Sequence, residues 1–133
     1  MPYISRSTDY AIRLMIELAQ RPPDEYVSAR VAGAEQDVPP ELARTIASSL
    51  ASAGLVDSRR GARGGMRLAC AAKDISLLDI IRAVETRVGI SMCTRDAEWC
   101  DRVAGCRMHG VWRGADAVLE SYLAGVRLDT LVD

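Results

Sequence analysis

Residues 39–70, PPELARTIASSLASAGLVDSRRGARGGMRLAC, carry the pattern that decides the fold. Pro39-Pro40 opens a helix, because proline is preorganised for the first turn and its missing N–H is no loss there. Leu42, Ile46, Leu50 and Ala53 then fall at four- and three-residue steps on one face, and Gly54 ends the run. Arg44, Ala47, Ser48 and Ala51 form a second face that is small and nearly flat. One long cation and a hydroxyl on such a face suit a helix lying in a major groove, where side chains must reach base edges without the backbone being held off. A solvated face of a helical bundle is the plainer alternative. Next come a short strand, Leu55-Val56-Asp57-Ser58, and its return, Met66-Arg67-Leu68-Ala69-Cys70, with Arg59-Arg60-Gly61-Ala62-Arg63-Gly64-Gly65 between them. Arginines on a glycine-flexible tip, directly after a helix-turn-helix pattern, describe the wing of a winged helix, whose cations can enter the narrow minor groove. A phosphate-cradling P-loop would need Gly-Lys-Ser/Thr entering a helix, and here a strand follows.

Upstream, Ser7-Thr8-Asp9 is a polar cluster of the kind that caps a helix; Ala11, Leu14, Met15, Leu18 and Ala19 follow at helical spacing until Arg21-Pro22-Pro23. Asp9 lies in that helix's first turn, where a carboxylate is favoured by the helix dipole. Val27-Ser28 offers a second cap, for a short helix over Val31, Ala32 and Ala34 that ends around Gln36-Asp37-Val38. Downstream, Ile75 to Ile80 contains a capping box and opens a helix expected to cover the wing and to run out near Glu85-Thr86. From about Arg107 a further helix carries Val111, Trp112, Ala115, Val118, Leu119, Tyr122, Leu123 and Val126. That stripe is too long for so small a core, so it is expected to pack on its copy in a homodimer rather than be buried within one chain.

Between those last two helices lie Cys93, Cys100 and Cys106, with His109 three residues further on, in a chain whose remaining cysteine is Cys70 and which has no other histidine. Gaps of six and five residues make neither the paired knuckles of a zinc ribbon nor a C-x-x-C redox motif. An iron-sulfur cluster, held by soft thiolates and one different fourth ligand, fits better. Three unrelated buried thiols are the plain alternative, but this loop is polar and charged where a core segment would be apolar.

The 133 residues are enough for one domain with its own core and an extension that packs on a partner. With 49% hydrophobic residues, 26% charged residues and a formal net charge of −1, any nucleic-acid affinity must be local. Neither a secretory pattern at Met1 nor an apolar run of membrane-spanning length is apparent, so a cytoplasmic protein without membrane partners is expected. In a reducing compartment, thiols serve as metal ligands or sensors more often than as structural disulfides.

Taken together, the helix order, the "GLVDSRRGARGGMRLA" wing, the "DISLLDIIRAVE" helix, the three-cysteine loop and the long last helix resemble the Rrf-type winged-helix transcription regulators over nearly the whole chain. The specific parts are Arg60-Gly61-x-x-Gly64-Gly65 and the triad Cys93, Cys100, Cys106. Met66 stands where that family usually has an aromatic residue, the first cysteine gap is six rather than the commoner five, and Arg44 occupies a position where some members carry Glu.

The resemblance implies a mainly α fold with a small β-wing, divided into a winged helix-turn-helix domain (1–86), a cluster-binding loop (87–106) and a dimerisation helix with its tail (107–133). It implies a homodimer on a palindromic double-stranded operator, with Ser28, Pro40, Arg44, Ser48, Arg59, Arg60 and Arg63 as the DNA-contacting candidates. The cluster would be held by Cys93, Cys100 and Cys106. Asp9, matching an acidic position that supplies an oxygen ligand across the dimer in one branch, is the first candidate for fourth ligand and suits a 4Fe-4S cubane. His109, matching a histidine of another branch, is the second and suits a 2Fe-2S cluster within one chain. The function expected is a regulator, and more specifically a repressor or dual regulator, gated by nitric oxide, redox or iron status. A cluster-free thiol/disulfide sensor, with Arg95, Arg102 or Arg107 placing positive charge beside a thiolate, is the alternative. An enzyme using Cys93 or Cys106 with His109 is not expected, since no carboxylate is placed to orient the imidazole.

Overall fold

The computed structural model describes residues 4–132. Helix α1, Arg6–Gln20, begins at Ser5, whose hydroxyl accepts the Thr8 N–H at 3.2 Å. The cap therefore lies two residues ahead of the Ser7-Thr8-Asp9 cluster, and Thr8 is instead buried. Ala11, Leu14, Met15 and Leu18 fill the core from this helix at steps of three and four residues. Helix α2, Ala29–Glu35, is capped by Ser28, whose hydroxyl accepts from Val31 N–H at 3.1 Å.

The turn into helix α3, Pro40–Ser52, passes through Asp37 at φ 56°, a left-handed position that Asp tolerates better than most residues. The Val38 N–H closes the turn on the Gly33 carbonyl at 2.8 Å. A Cβ on Gly33 would come within 3.0 Å of the Ala43 Cβ, so glycine is what lets α2 and α3 approach. The buried face of α3 is Ala43, Ile46 and Leu50, whereas Leu42, expected on that face, is exposed. Gly54, at φ 78°, follows the helix as the pattern predicts.

Strands β1, Val56–Arg59, and β2, Gly65–Leu68, pair antiparallel with Asp57 opposite Arg67 and Arg59 opposite Gly65. β1 lies one residue later than expected, which moves Arg59 from the tip into the strand, and β2 starts one residue earlier and ends two residues earlier than expected. Val27 adds an isolated bridge to the wing by exchanging backbone hydrogen bonds with Met66 at 3.0 and 2.8 Å. Gly65, at φ 143°, sits against the Val27 backbone where a side chain would collide.

Helix α4, Leu77–Val84, starts with both bonds of the expected capping box, Asp79 N–H to Ser76 Oγ at 3.0 Å and Ser76 N–H to Asp79 Oδ2 at 2.9 Å. It packs chiefly on α1, α3 and the last helix, so its place is under the core rather than over the wing. A one-turn helix α5, Met92–Arg95, precedes the long helix α6, Arg107–Gly125. After α6 the chain turns back: Leu77 N–H donates to the Val126 carbonyl and Leu128 N–H to the Ile75 carbonyl, both at 2.9 Å, and Leu128 is fully buried with α1 and Ile75. The tail is thus part of the winged-helix core. Among the described residues no helix is long and apolar enough to cross a membrane.

Candidate nucleic-acid interface and metal centre

The DNA-facing candidates divide by what holds them. Pro40 sits in the first turn of α3, and Arg44 and Ser48 stand exposed further along it. Ser28 spends its oxygen on capping α2, although its O–H remains able to donate. Arg60 and Arg63 are exposed at the wing tip, and neither they nor Arg44 belong to an ion pair among the described residues. Their charge is available for phosphate.

At the wing base lies a group that the sequence pattern did not single out. Tyr26 donates to Asp57 at 2.6 Å, and the guanidinium carbons of Arg59 and Arg67 lie 4.7 and 4.6 Å from the centre of its ring. The bond to Asp57 is the main reason that the Tyr26 phenol is held above its ordinary value; the same bond, seconded by Arg67 and Arg59, holds Asp57 below the usual carboxylate range. Only the cross-strand pairing of Val27 with Met66 brings Tyr26 here, and no local spacing announces it.

The thiols form the second site. Cys93 lies on α5, Cys100 in the loop, and Cys106 at the position preceding α6, while His109 stands one turn into that helix. All four line one pocket of about 170 Å³, together with Ser91, Trp99, Val103, Met108 and Trp112. His109 Nδ1 is 3.2 Å from Cys93 Sγ, and Ser91 Oγ is 3.5 Å from the same sulfur. A larger cavity of about 430 Å³ adjoins it through Cys93 and His109 and is lined by Arg113, Asp116 and Glu120 of α6.

Among the described residues no three His, Cys, Asp or Glu side chains converge closely enough to grip a metal ion as they stand. The donor set nevertheless fits an iron-sulfur group: three soft sulfurs and one imidazole around a single pocket, with Cys106 immediately before a 19-residue helix. Asp9 lies elsewhere, exposed on α1 and ion-paired to Arg13 at 2.9 Å, and lines neither cavity. Cys70 is also apart from the triad, in a groove with Leu18 and Pro22, and burial followed by Asp74 and Asp79 pushes its thiol up.

The cysteine segment and the helices that flank it are tied together at several points. Ile90 N–H donates to Asp116 on α6 at 2.7 Å, Arg87 pairs with Asp96 at 3.0 Å, and Arg82 on α4 pairs with Glu120 on α6 at 3.4 Å. Glu85, where α4 gives way to the loop, accepts from Ser5 N–H at 3.2 Å and from the Thr8 hydroxyl at 2.7 Å, which ties the loop's start to the start of α1. Burial pulls the Glu85 carboxyl upward, but the bonds from Ser5 and Thr8, with the charge of Arg95, outweigh it and leave the carboxyl below its ordinary value. A depressed carboxyl contributes stability that is fully present above its unfolded value of 4.5 and is lost as pH falls through the folded one. Glu85→Gln is therefore expected to lower the melting temperature at neutral pH and to flatten its decline in acid; parallel curves for the two proteins would contradict this.

A two-helix reader with an arginine-tipped wing, followed by a thiol pocket at the root of a long exposed helix, defines the class as a DNA-binding regulator. Comparison with known proteins places the chain. The family model for Rrf2, described as an iron-dependent transcriptional regulator, matches residues 4–133, and the chain belongs to that family of transcriptional regulators. It is 30% identical over 123 residues to the HTH-type transcriptional regulator IscR of Vibrio atlanticus, spanning 92% of this chain and 70% of that relative. It is 28% identical over 127 residues to NsrR of Halalkalibacterium halodurans, spanning 95% and 85%. Among solved structures it resembles T. potens IscR with a TM-score of 0.75 and 27% identity, covering 96% of this chain and 84% of that one. CymR, described as the global cysteine regulator of B. subtilis, gives the same TM-score at 26% identity and covers 98% and 96%. The mainly α winged-helix fold expected from the sequence is thereby established, and the family is one of regulators rather than enzymes.

Proposed function

We propose that this chain is a homodimeric repressor of a palindromic operator whose DNA affinity is set by an iron-sulfur cluster on Cys93, Cys100 and Cys106. The observation that carries this reading is the shared pocket of the three cysteines and His109 at the N-terminal end of α6. When bound, the cluster would supply a centre that reacts with nitric oxide or oxygen and is lost when iron is scarce. The rest is the work of the chain. Cys93 is carried by α5 and Cys106 by the start of α6, so thiolates held together fix one helix against the other. Asp116 holds the Ile90 backbone to α6, and Glu85 holds the end of α4 to the start of α1. A rearranged loop therefore pulls on both α6 and α1. In a dimer, a small change in the angle between two reading heads is amplified, because the half-sites have fixed spacing. A coupling of about 1 to 3 kcal/mol is enough for a switch.

Dimerisation is supported by the surface of α6. Met108, Val111, Ala115, Val118 and Tyr122 recur at alternating steps of three and four, the spacing of a two-helix seam, and the four large ones among them are exposed in the single chain. For the fourth ligand, the contact of His109 with Cys93 supports closure within one chain, whereas Asp9 would have to come from the partner subunit. The test is anaerobic reconstitution of the wild type and of Cys93→Ser, Asp9→Ala and His109→Ala, with iron and sulfide counted per chain and operator affinity measured with and without the cluster. A brown wild type, a colourless Cys93→Ser and a cluster-dependent affinity are expected. A wild type that takes up no sulfide overturns the proposal. The two ligand variants then order the candidates, since the protein lacking the true ligand loses the native spectrum.

The second reading, a cluster-free thiol sensor, is favoured by the likeness to CymR and by the Cys93–His109 contact. It predicts a colourless protein that forms a disulfide within the triad on mild oxidation, read by mass under non-reducing conditions.

On the DNA side, Arg44→Ala is expected to relax preference at one base position by about 1 to 3 kcal/mol while leaving the salt dependence nearly unchanged. A loss of affinity that is uniform across operator variants would place Arg44 on the backbone instead.

A further inference from the structure

Tyr26 lies on the outer face of the wing. Val27 pairs with Met66, which sets Tyr26 beside Arg67, and Arg67 is directly opposite Asp57 in the hairpin. Side chains alternate along a strand, so Asp57 and Arg59 share that outer face while Val56 and Met66 turn inward and are buried. The two strands and the Val27 bridge thus bring four side chains together: the phenol on Asp57 at 2.6 Å, Asp57 near Arg67 Nε at 3.5 Å, and both guanidiniums within 4.7 Å of one ring centre.

Two like charges brought to one ring would repel each other. The negative face of the ring and the carboxylate of Asp57 offset that repulsion. Asp57 is committed to Tyr26 and Arg67, whereas Arg59 has no ion pair among the described residues. Arg59 is also the last residue of β1, next to Arg60 and the tip. An exposed arginine ordinarily loses rotamer freedom when it engages a phosphate, and one already laid over an aromatic ring loses less.

We propose that Tyr26 is a positioning residue for DNA binding: its ring holds Arg59 ready for a backbone phosphate beside the wing tip, with Asp57 and Arg67 bracing the ring. The proposal rests on the reading of the wing as a DNA-contacting element. The phenol oxygen serves the brace and the ring serves the arginine, so the two parts are separable by substitution.

The experiment measures binding of the full-length protein to a labelled mixed-sequence duplex by fluorescence anisotropy across a salt series. Tyr26→Leu is expected to weaken binding about three- to tenfold at low salt, while Tyr26→Phe, which keeps the ring, retains most of the affinity. Arg59→Ala should weaken binding comparably and flatten the log–log salt slope by about 0.9, one phosphate contact. In the Arg59→Ala background, Tyr26→Leu should add nothing. Wild-type affinity in Tyr26→Leu together with weakened binding in Arg59→Ala overturns the proposal, as do independent, additive effects of the two. If Arg59→Ala and Arg60→Ala both bind as wild type, the wing reading itself fails and the proposal falls with it. Melting curves accompany each variant; should Tyr26→Leu not fold, Tyr26→Thr, with its strand-compatible β-branch, takes its place under the same criteria.

Discussion

With α6 as the proposed dimer seam, replacing Val118 with Glu is expected to turn that dimer into monomers and to weaken operator binding by two to four orders of magnitude. Val118 is 71% exposed and Tyr122 70% exposed in the single chain, and they continue the seam that starts at Met108. A dimer would cover this face, and each Glu would then enter apolar contact from both subunits without a cation to meet it. An unpaired buried charge costs roughly 3 to 5 kcal/mol, which is a weakening of at least about a hundredfold in self-association. The effect on DNA is larger than any single side-chain contact because the second half-site is bound at high effective concentration only while the two reading heads are joined, an advantage of about 10² to 10⁴. Val118 is a cleaner choice than Leu119, which is half-buried against its own chain, so that Leu119→Glu would disturb the fold as well. Sedimentation at several concentrations is the measurement. A Val118→Glu protein that sediments as the wild type removes α6 as the interface.

How much of this was legible in the sequence depended on whether the deciding interaction was local. Pro40 at the start of α3, Gly54 after it, Ser28 as a cap and the reciprocal Ser76–Asp79 bonds all follow from residues within four positions of each other, and all are present. The cap of α1 is not fixed by local sequence, because three capping-competent residues follow Ser5, and the choice among them is made by Glu85, which takes the Thr8 hydroxyl from 77 positions away. Ile46 and Leu50 lie on the buried face of α3 as the spacing predicts, but Ala43 takes the place expected for Leu42, for a similar reason. Leu42 is the more hydrophobic, but Ala43 is the one small enough to face Gly33 across the helix-turn-helix, and size decides at a close crossing. The cysteine triad was found by its crowding in sequence, yet that His109 and Cys93 would touch depends on the loop folding back over α6. Tyr26 was missed altogether, since strand pairing through Val27 and Met66 creates its surroundings.

Leu128→Ala is expected to be the most damaging single truncation in the last ten residues, lowering stability by about 2 to 5 kcal/mol and the melting temperature by on the order of 10 °C. Leu128 belongs to a short tail for which the sequence spacing predicts no element, yet it is fully buried beside Ile75 and α1, and the backbone around it is bonded on both sides to residues 75–77. Removing its side chain leaves a void that the surrounding core cannot fill, because Leu14, Met15 and Ile80 are held by their own helices. Leu131, 38% exposed and three residues further on, serves as the comparison: Leu131→Ala should cost little. The two substitutions also separate packing from signalling. The tail fastens the C-terminal end of α6 to the winged helix, while the N-terminal end carries Cys106 and His109. Loosening the tail should therefore leave the thiol pocket able to bind the proposed cluster but blunt the change in DNA affinity proposed to follow cluster loss. If Leu128→Ala retains wild-type stability, the docked tail is wrong. If it is destabilised but keeps the full cluster-dependent change in affinity, the signal runs through Glu85 and α1 rather than along α6.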